Sequence, residues 1–325
     1  MSGFPLAAIK VVIAVALIAL AVQYVRVFLL RKSAVPRRTS AMPRRTPAET
    51  TAACRHDVYA PDPEQRLETF RELERRAHRD PAQRQKFVDQ VLAQLRFRGW
   101  SRLPDWQARL WALVLPHLRP QAEEFWHGID IEVERAVLTD VDLSGCEVRD
   151  LAFEQVRFVG TARFVRTVFT GEVTFEGSCF VKHARFRGAE FRSSAGFDQV
   201  TFAGTASFPG VTVTGPAGFR RARFSGLTDF TGARFAGPFD AVAAGFAGRT
   251  SFRDARFAPR ARFAEARFTG HADFTGASFA DRPGLARAWA RTDWYAVRTW
   301  PAGWSAGTGD VALPKRPGRW AELRD

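Results

Sequence analysis

Phenylalanine recurs along the middle of the chain at alternating steps of five and six residues. The stretch FAPRARFAEARFTGHADFTGASF, from Phe257 to Phe279, places it at 257, 263, 268, 274 and 279. The same spacing runs back to Phe158 and, with some apolar substitutes, to Leu138, and 22 of the 29 phenylalanines lie on it. A fixed period over about 140 residues indicates a repeat architecture, in which stacked copies of one small unit share a continuous core.

An α-helical supercoil with an eleven-residue repeat is the first explanation to exclude. Residues five apart on a helix point about 140° away from each other, so neighbouring phenylalanines would not share one face. Glycine also recurs in nearly every unit, and each glycine inside a helix costs about 1 kcal/mol relative to alanine. The period therefore argues against a helix.

Short strands account for the same pattern. The triplet Ala-Arg-Phe occurs at 233–235, 255–257, 261–263 and 266–268. In an extended chain its small and large residues face one way and its arginine faces the other. Turn-like pairs such as Thr-Gly and Ala-Gly follow such triplets, so the chain is predicted to wind into coils that hydrogen-bond to one another, with columns of phenylalanine inside.

These units resemble the pentapeptide-repeat family, whose short form is A-D-L-x-x. The pattern is carried by Val-Asp-Leu-Ser-Gly at 141–145, Gly-Ala-Arg-Phe at 232–235 and Gly-Ala-Ser-Phe at 276–279. The resemblance covers about residues 136–280 and implies a mainly β fold, a right-handed quadrilateral β-helix with one repeat on each side. It also implies that the centre residue and the small residue two positions before it face inward.

The chain departs from the plain repeat by alternating five- and six-residue units. The extra residue is assigned to a corner, so four sides take about 22 residues and the repeats form between six and seven coils. Ala241 stands where a phenylalanine is due, and Phe239 stands two positions earlier. We interpret this as an exchange of the large and the small inward residue within one side.

The N-terminus predicts a membrane anchor over residues 1–32. Phe4 to Leu30 is apolar except at a few polar positions, and about 20 apolar residues cross a bilayer. A cleaved signal peptide is the alternative, but the segment lacks a basic start and is longer than the usual apolar region of such peptides. Six basic residues follow it closely, which predicts a single-pass protein of the cell membrane with the bulk of the chain in the cytoplasm. Three cysteines agree with a reducing compartment.

Three further regions are predicted around the repeats. Residues 33–60 read as a basic, proline-containing linker, which either binds anionic lipid or serves as a plain spacer. Residues 61–135 show helical periodicity and predict a small α-helical bundle or cap. The stretches RDPAQRQKFVDQVLAQLR at 79–96 and FWHGIDIEVERAVLTDVDLSGCEV at 125–148 resemble the helical lead-in of actinobacterial membrane-associated members of the family. Residues 281–325 are rich in tryptophan; they are predicted to contain a short amphipathic helix and to cap the open end of the β-helix.

No catalytic, cofactor or metal site is predicted. The six histidines lie in unrelated settings, and the chain contains neither C-x-x-C, H-x-x-x-H nor a phosphate-binding loop motif. We therefore expect a non-enzymatic protein without a cofactor or a small-molecule ligand. A sugar or aromatic-ligand site near Trp300 and Trp304 is the alternative to a cap.

Three functions remain for a rigid, basic rod. The first is a membrane-tethered scaffold that binds an unnamed protein. The second, implied by the resemblance, is a topoisomerase-interacting mimic of DNA, which would need acidic rows. The third is direct binding of nucleic acid or of an anionic membrane. The family pattern stacks residues that are 22 apart, so it places arginine opposite arginine on neighbouring coils. Such pairs favour an acidic partner. We therefore predict that the contact residues are Arg163, Arg185, Arg234 and Arg256.

Overall fold

The computed structural model describes residues 62–96, 104–293, 295–307, 311–313 and 317–324. The predicted anchor 1–32 and linker 33–60 lie outside the described residues. Within the described ranges, no helix combines the length and the apolar content needed to cross a membrane.

The described part begins with three α-helices: α1, Pro63–Arg79; α2, Arg84–Ala93; and α3, Pro104–Val114. Each is followed by a short 3₁₀ turn, at Pro81–Gln83, Gln94–Arg96 and Leu115–Leu118. The Asp62 carboxylate starts α1 by accepting the backbone N–H of Glu64 at 3.1 Å. Asp80 begins the turn Pro81–Gln83 in the same way, because its carboxylate accepts the N–H of Ala82 at 3.0 Å.

The apolar faces of the three helices form a small core. Phe70 of α1, Val88 and Val91 of α2 and Leu110 of α3 are all fully buried. Their spacing is that of one helical face, which is why the sequence pattern located these helices.

Two glutamines join this helical region to the first strands. The Gln85 side chain exchanges two hydrogen bonds with the backbone of Asp130, at 2.8 and 3.0 Å. Gln107 likewise donates to the carbonyl of Val137 and accepts the N–H of Thr139, both at 2.7 Å. The side-chain amides of these two glutamines therefore bond backbone groups of the first coil that a preceding coil would otherwise have bonded. The helical region thus caps the first coil.

A four-sided β-helix of about eight coils follows, built from four parallel ladders. Ladder 1 contains Ile131–Glu134, Leu151–Glu154, Val173–Thr174, Ala195–Gly196, Ala217–Gly218 and Phe239–Asp240. Ladder 2 contains Val137–Thr139, Arg157–Val159, Cys179–Phe180, Thr201–Phe202, Arg223–Phe224, Gly245–Phe246, Arg267–Phe268 and Trp289–Arg291. Ladder 3 contains Thr161–Arg163, His183–Arg185, Ala206–Ser207, Thr228–Asp229, Thr250–Ser251, Ala272–Asp273 and Arg298–Thr299. Ladder 4 contains Glu147–Val148, Val168–Phe169, Glu190–Phe191, Thr212–Val213, Arg234–Phe235, Arg256–Phe257 and Ser278–Phe279.

The register steps by 22 residues along most of the rod. Thr201 pairs with Arg223, for example, and Thr212 pairs with Arg234. Strands extend from Ile131 to Thr299, beyond the predicted 136–280, and this explains the larger number of coils.

Phenylalanine columns fill the interior, as the period predicted. In ladder 3 the rings of Phe164, Phe186, Phe208, Phe230 and Phe252 stack with centroids 4.7 to 5.0 Å apart. Each of these side chains is at most 1 % exposed. This column therefore repeats the strand spacing, and each of its inner rings contacts the coils on both sides.

The exchange predicted on one side is confirmed. Phe239 and Ala241 are both buried, and the Phe239 ring lies 5.5 Å from Phe219 and 5.3 Å from Phe263. The interior volume is thus kept although the two residues have traded places.

At the C-terminal end the expected amphipathic helix is wrong. Leu285 is buried 22 residues after Phe263, and Trp289–Arg291 pairs in parallel with ladder 2, so the coil continues there. Three antiparallel strands close this end: Ser305–Ala306, Val311–Ala312 and Arg319–Arg324. The Trp304 ring lies 5.4 Å from Phe274 and 5.6 Å from Phe279, covering the last phenylalanines.

Candidate interaction surface

The predicted arginine pairs are neighbours in the ladders. Arg163 pairs in register with Arg185 on ladder 3, and Arg234 pairs with Arg256 on ladder 4. Each arginine sits between two inward residues, as Arg185 does between the buried Ala184 and Phe186, so its side chain faces out. Neighbouring strands lie about 4.8 Å apart, so in each of the two pairs one positive charge lies close to the other.

These four guanidinium groups have no acidic partner within the described part of the chain. The ion pairs on the outside of the described coils join other residues, such as Arg220 to Asp240 at 3.4 Å and Arg253 to Asp273 at 3.5 Å. Arg185, Arg234 and Arg256 are exposed and Arg163 is half-buried. Directly opposed like charges destabilise a sheet, so each pair favours an anionic group in contact with it.

The structure does not join the two pairs into one patch. They lie on different faces of the rod, and one coil, represented by Ser207 on ladder 3 and Thr212 on ladder 4, separates them along its axis. A partner that contacts both pairs must therefore wrap around the edge between ladders 3 and 4.

Two further arginines, which were not predicted from the sequence, lie next to the pair of Arg163 and Arg185. Arg166 and Arg187 occupy the corner after ladder 3 in the same two coils, and both are exposed. The backbone N–H of Arg166 donates to the carbonyl of Arg187 at 2.9 Å, so the two residues are adjacent. Their positions, two and one residues after the centre phenylalanines, were readable from the repeat. We call Arg163, Arg166, Arg185 and Arg187 the basic cluster.

The outward rows of ladders 3 and 4 carry both signs of charge, in the order the repeat predicted. Ladder 3 presents Asp142, Arg163, Arg185, Ser207, Asp229, Ser251 and Asp273. Ladder 4 presents Glu147, Val168, Glu190, Thr212, Arg234, Arg256 and Ser278. Neither row places two acidic residues on adjacent coils.

A second cluster lies in the helical region, where the expectation that the histidines occupy unrelated settings is wrong. His78 of α1 and His117 have ring centroids 5.1 Å apart. Glu74 and Glu124 complete a group of four whose possible ligand atoms all lie within 4.8 Å of one another. Glu74 and His78 are four residues apart on one helix, a spacing that places both on the same face and was present in the sequence.

His117 is the buried centre of this group. Its side chain is fully buried and its ring stacks on Trp126 with centroids 3.7 Å apart. Nδ1 lies 3.0 Å from the carbonyl oxygen of Glu124, and Nε2 lies 2.8 Å from a carboxylate oxygen of Glu74. Three separate segments of the chain therefore meet at one imidazole.

Comparison with known families identifies the repeats. The profile of the pentapeptide repeats (9 copies) matches residues 134–178, 181–223 and 230–278. All three matched ranges lie in the four ladders, so the predicted resemblance is confirmed for this part. The match does not extend to the actinobacterial or membrane-anchored character expected from the rest of the chain. No curated protein and no solved structure was found to match.

Proposed function

We propose that this chain, whose pentapeptide repeats form a four-sided β-helix, is a non-enzymatic scaffold that binds an acidic protein through its arginine pairs. The observation that carries the proposal is the in-register pairing of Arg163 with Arg185 and of Arg234 with Arg256. Two arginines held opposite each other repel, and this repulsion lowers the stability of the fold. A partner with negative charge at the same place would remove the repulsion on binding.

The rigid interior supports this role. Phe186 and Phe208, for example, are each fixed between two other rings of their column, so the outward side chains keep a constant spacing along the rod. A partner with carboxylates at a similar spacing would then bind without ordering the scaffold first, which lowers the entropic cost of association. The basic cluster offers the densest charge and would be the main contact.

The proposal includes a membrane anchor at residues 1–32, with the β-helix in the cytoplasm. It rests on the apolar run Phe4 to Leu30 and on the basic residues that follow it. The full chain should sediment with membranes and resist extraction by high salt, whereas a chain lacking residues 1–32 should remain in the supernatant. A mature protein that begins after residue 30 would contradict the anchor.

The partner interaction is tested by affinity capture from detergent-solubilised membranes of the source cells. The baits are the full chain, a variant with Arg163→Gln and Arg185→Gln, and a matched control with Arg157→Gln and Arg223→Gln. The control arginines are exposed on ladder 2 and are not opposed to each other. We expect an acidic protein to be retained by the full chain and by the control, to be lost from the paired variant, and to elute with increasing salt.

Equal recovery of the same proteins on all three baits would argue against the arginine pairs as the contact. Captured proteins that resist salt and carry no acidic surface would argue against the electrostatic basis of the proposal.

A further inference from the structure

We propose that Glu74, His78, His117 and Glu124 bind a divalent metal ion of the zinc class where α1 meets the segment that leads into the β-helix. The inference is independent of the proposed scaffold function. It rests on the geometry around His117 and on the nature of the four side chains.

The hydrogen bonds of His117 fix which ring nitrogen can act as a ligand. The carbonyl oxygen of Glu124, 3.0 Å from Nδ1, can only accept a hydrogen bond, so Nδ1 carries the proton. Nε2 then faces the Glu74 carboxylate at 2.8 Å. The 2.8 Å separation is that of a hydrogen bond, so without a metal one proton lies between Nε2 and the carboxylate oxygen.

A metal ion would replace that proton, with Nε2 and the carboxylate oxygen both as its ligands. An Nδ1–H held by a backbone carbonyl is the usual second-shell arrangement of a metal-ligating histidine, because it orients the ring and raises the basicity of Nε2. The same nitrogen that would bind the metal is the one directed at a carboxylate. His117 is therefore positioned as a ligand and not only as a packed ring.

Two further donors surround the same point, which a simple ion pair would not require. His78 and Glu124 bring the number of possible ligand atoms to four, all within 4.8 Å of one another. Zinc ligands at about 2.0 to 2.2 Å from the metal in a tetrahedral site lie about 3.3 Å from each other, so the widest pairs must close by up to about 1.5 Å and the pair of Nε2 and Glu74 must open by about 0.5 Å. Both residues are exposed at the rim and can make that movement.

The donor types select the metal. Two imidazoles with two carboxylates suit zinc and other first-row transition metals, whereas magnesium and calcium prefer oxygen ligands alone. The two carboxylates also balance the charge of a divalent ion beside a fully buried histidine. All four positions would be filled by the protein, as in sites that stabilise a structure.

Such an ion would tie three segments together. Glu74 and His78 belong to α1, His117 to the 3₁₀ turn Leu115–Leu118, and Glu124 to the loop before Trp126. The ring of Trp126 lies 5.3 Å from His78 and stacks on His117, so the site adjoins the core beneath the first coil. Metal binding should therefore stabilise the helical cap.

The experiment uses the full chain without an affinity tag, stripped of metal with a chelator and then titrated with zinc chloride. Bound metal is counted by elemental analysis, and cobalt chloride provides a visible absorption spectrum that reports a tetrahedral site. The test variant carries His78→Gln and Glu124→Gln. The matched control carries His127→Gln and Glu123→Gln, which alter the same residue types in the same region. All four altered residues are exposed, so both variants should fold.

We expect one zinc ion per chain, an affinity at least about tenfold lower in the test variant, and an unchanged affinity in the control. Zinc should raise the midpoint of thermal unfolding of the full chain and of the control, and less so that of the test variant. The absence of stoichiometric binding at micromolar zinc would overturn the proposal and assign His117 to a hydrogen bond with Glu74. Binding that persists unchanged in the test variant would place the metal elsewhere, for example at the cysteines, and would also overturn it.

Discussion

Gly226 shows why glycine recurs at the corners between ladders 2 and 3. A Cβ atom placed on it would collide with the backbone carbonyl of Gly204 in the preceding coil, and the same conflict links Gly248 to Gly226 and Gly270 to Gly248. None of these glycines has a left-handed φ angle, so the requirement is close backbone contact and not an unusual conformation. The sequence indicated a turn at these positions but not the column of touching backbones.

We therefore expect Gly226→Ala to lower the free energy of unfolding by about 1 to 3 kcal/mol, because the corner must shift away from its neighbour. Gly245→Ala is the matched control. Gly245 lies outward on ladder 2, where an added Cβ would meet no atom within 4 Å, and its φ is not left-handed. Its replacement should leave stability unchanged or raise it by up to about 1 kcal/mol. Thermal unfolding followed by circular dichroism measures both, and equal midpoints for the two variants would contradict the proposed contact.

Cys146 gives a residue-scale prediction about pH. It fills a small inward position of the first coil and is fully buried, and this burial raises the pKa of its thiol to about 11 from an ordinary 9.0. A thiol that ionises more readily in the unfolded chain contributes stability that is complete below pH 9. That contribution is lost as the pH rises toward the folded value.

Cys146→Ala should consequently reduce the loss of stability between pH 9 and 11, and the full chain should lose about 2 to 3 kcal/mol more than the variant over this range. Unfolding in urea at a series of pH values gives the comparison. The titration of lysine and tyrosine contributes to both proteins and cancels in the difference. Parallel pH profiles would show that the thiol is not held in its neutral form.

At the scale of the strand, inward and outward positions alternate within three residues. Phe208 is 1 % exposed, between the rings of Phe186 at 4.7 Å and Phe230 at 4.8 Å. Ser207, one residue earlier, lies outward between Arg185 and Asp229. This alternation was predictable because it depends on a local period that the β-helix repeats in every coil.

Phe208→Asp should abolish folding of the β-helix, since it places an unpaired charge in an aromatic column. Ser207→Asp should cost little, because the new carboxylate would face solvent, and its attraction to Arg185 on one side would offset its repulsion by Asp229 on the other. Limited proteolysis of the two full-length variants distinguishes them: the first should be degraded rapidly and the second should resist as the wild type does. Equal resistance would show that the assignment of inward and outward positions is wrong.

The cap of the first coil depends on Gln107, which is 1 % exposed and holds the backbone of both Val137 and Thr139. Gln107→Ala should destabilise the protein by about 1 to 3 kcal/mol, because it removes the partners of a half-buried backbone N–H and a half-buried carbonyl. Gln65→Ala, on the exposed side of α1, is the control and should change stability by less than about 0.5 kcal/mol. Denaturant unfolding measures the two differences, and a neutral Gln107→Ala would mean that water replaces the amide.

The contacts that the sequence did not predict join residues that are far apart in the chain and meet only in the folded protein. Gln107 meets Val137 across 30 residues, and His78 meets His117 from a different segment. No period links such positions, so a pattern search cannot pair them. The coil at Leu285 was missed for another reason, because the 22-residue step persists there while phenylalanine is replaced by smaller residues.

At the scale of the whole molecule, the distribution of charge decides between the possible partners. Residues 136–280 hold 18 basic and 14 acidic residues, an excess of four positive charges. The phenylalanines of the β-helix are buried except for the half-buried Phe279, which Trp304 covers, so they are not available to stack on nucleic-acid bases. Arginines on its faces are mixed with acidic residues and form pairs, not a continuous basic groove.

Mimicry of DNA would require negative charge at regular, phosphate-like intervals along one face. The acidic residues of ladder 3, Asp142, Asp229 and Asp273, are separated by neutral or basic coils. Beside ladder 1 an acidic row runs over four coils and then meets Arg220, so it covers only the N-terminal half of the β-helix; its members are Glu134, Glu154, Glu176 and Asp198. The paired arginines would in addition repel a basic DNA-binding groove. We therefore expect the full chain neither to inhibit nor to protect gyrase in a supercoiling assay at micromolar concentration, with a small-molecule gyrase inhibitor as the positive control. Inhibition that disappears on Asp229→Asn and Asp273→Asn would overturn this prediction, since only an acidic contact surface would respond to that change.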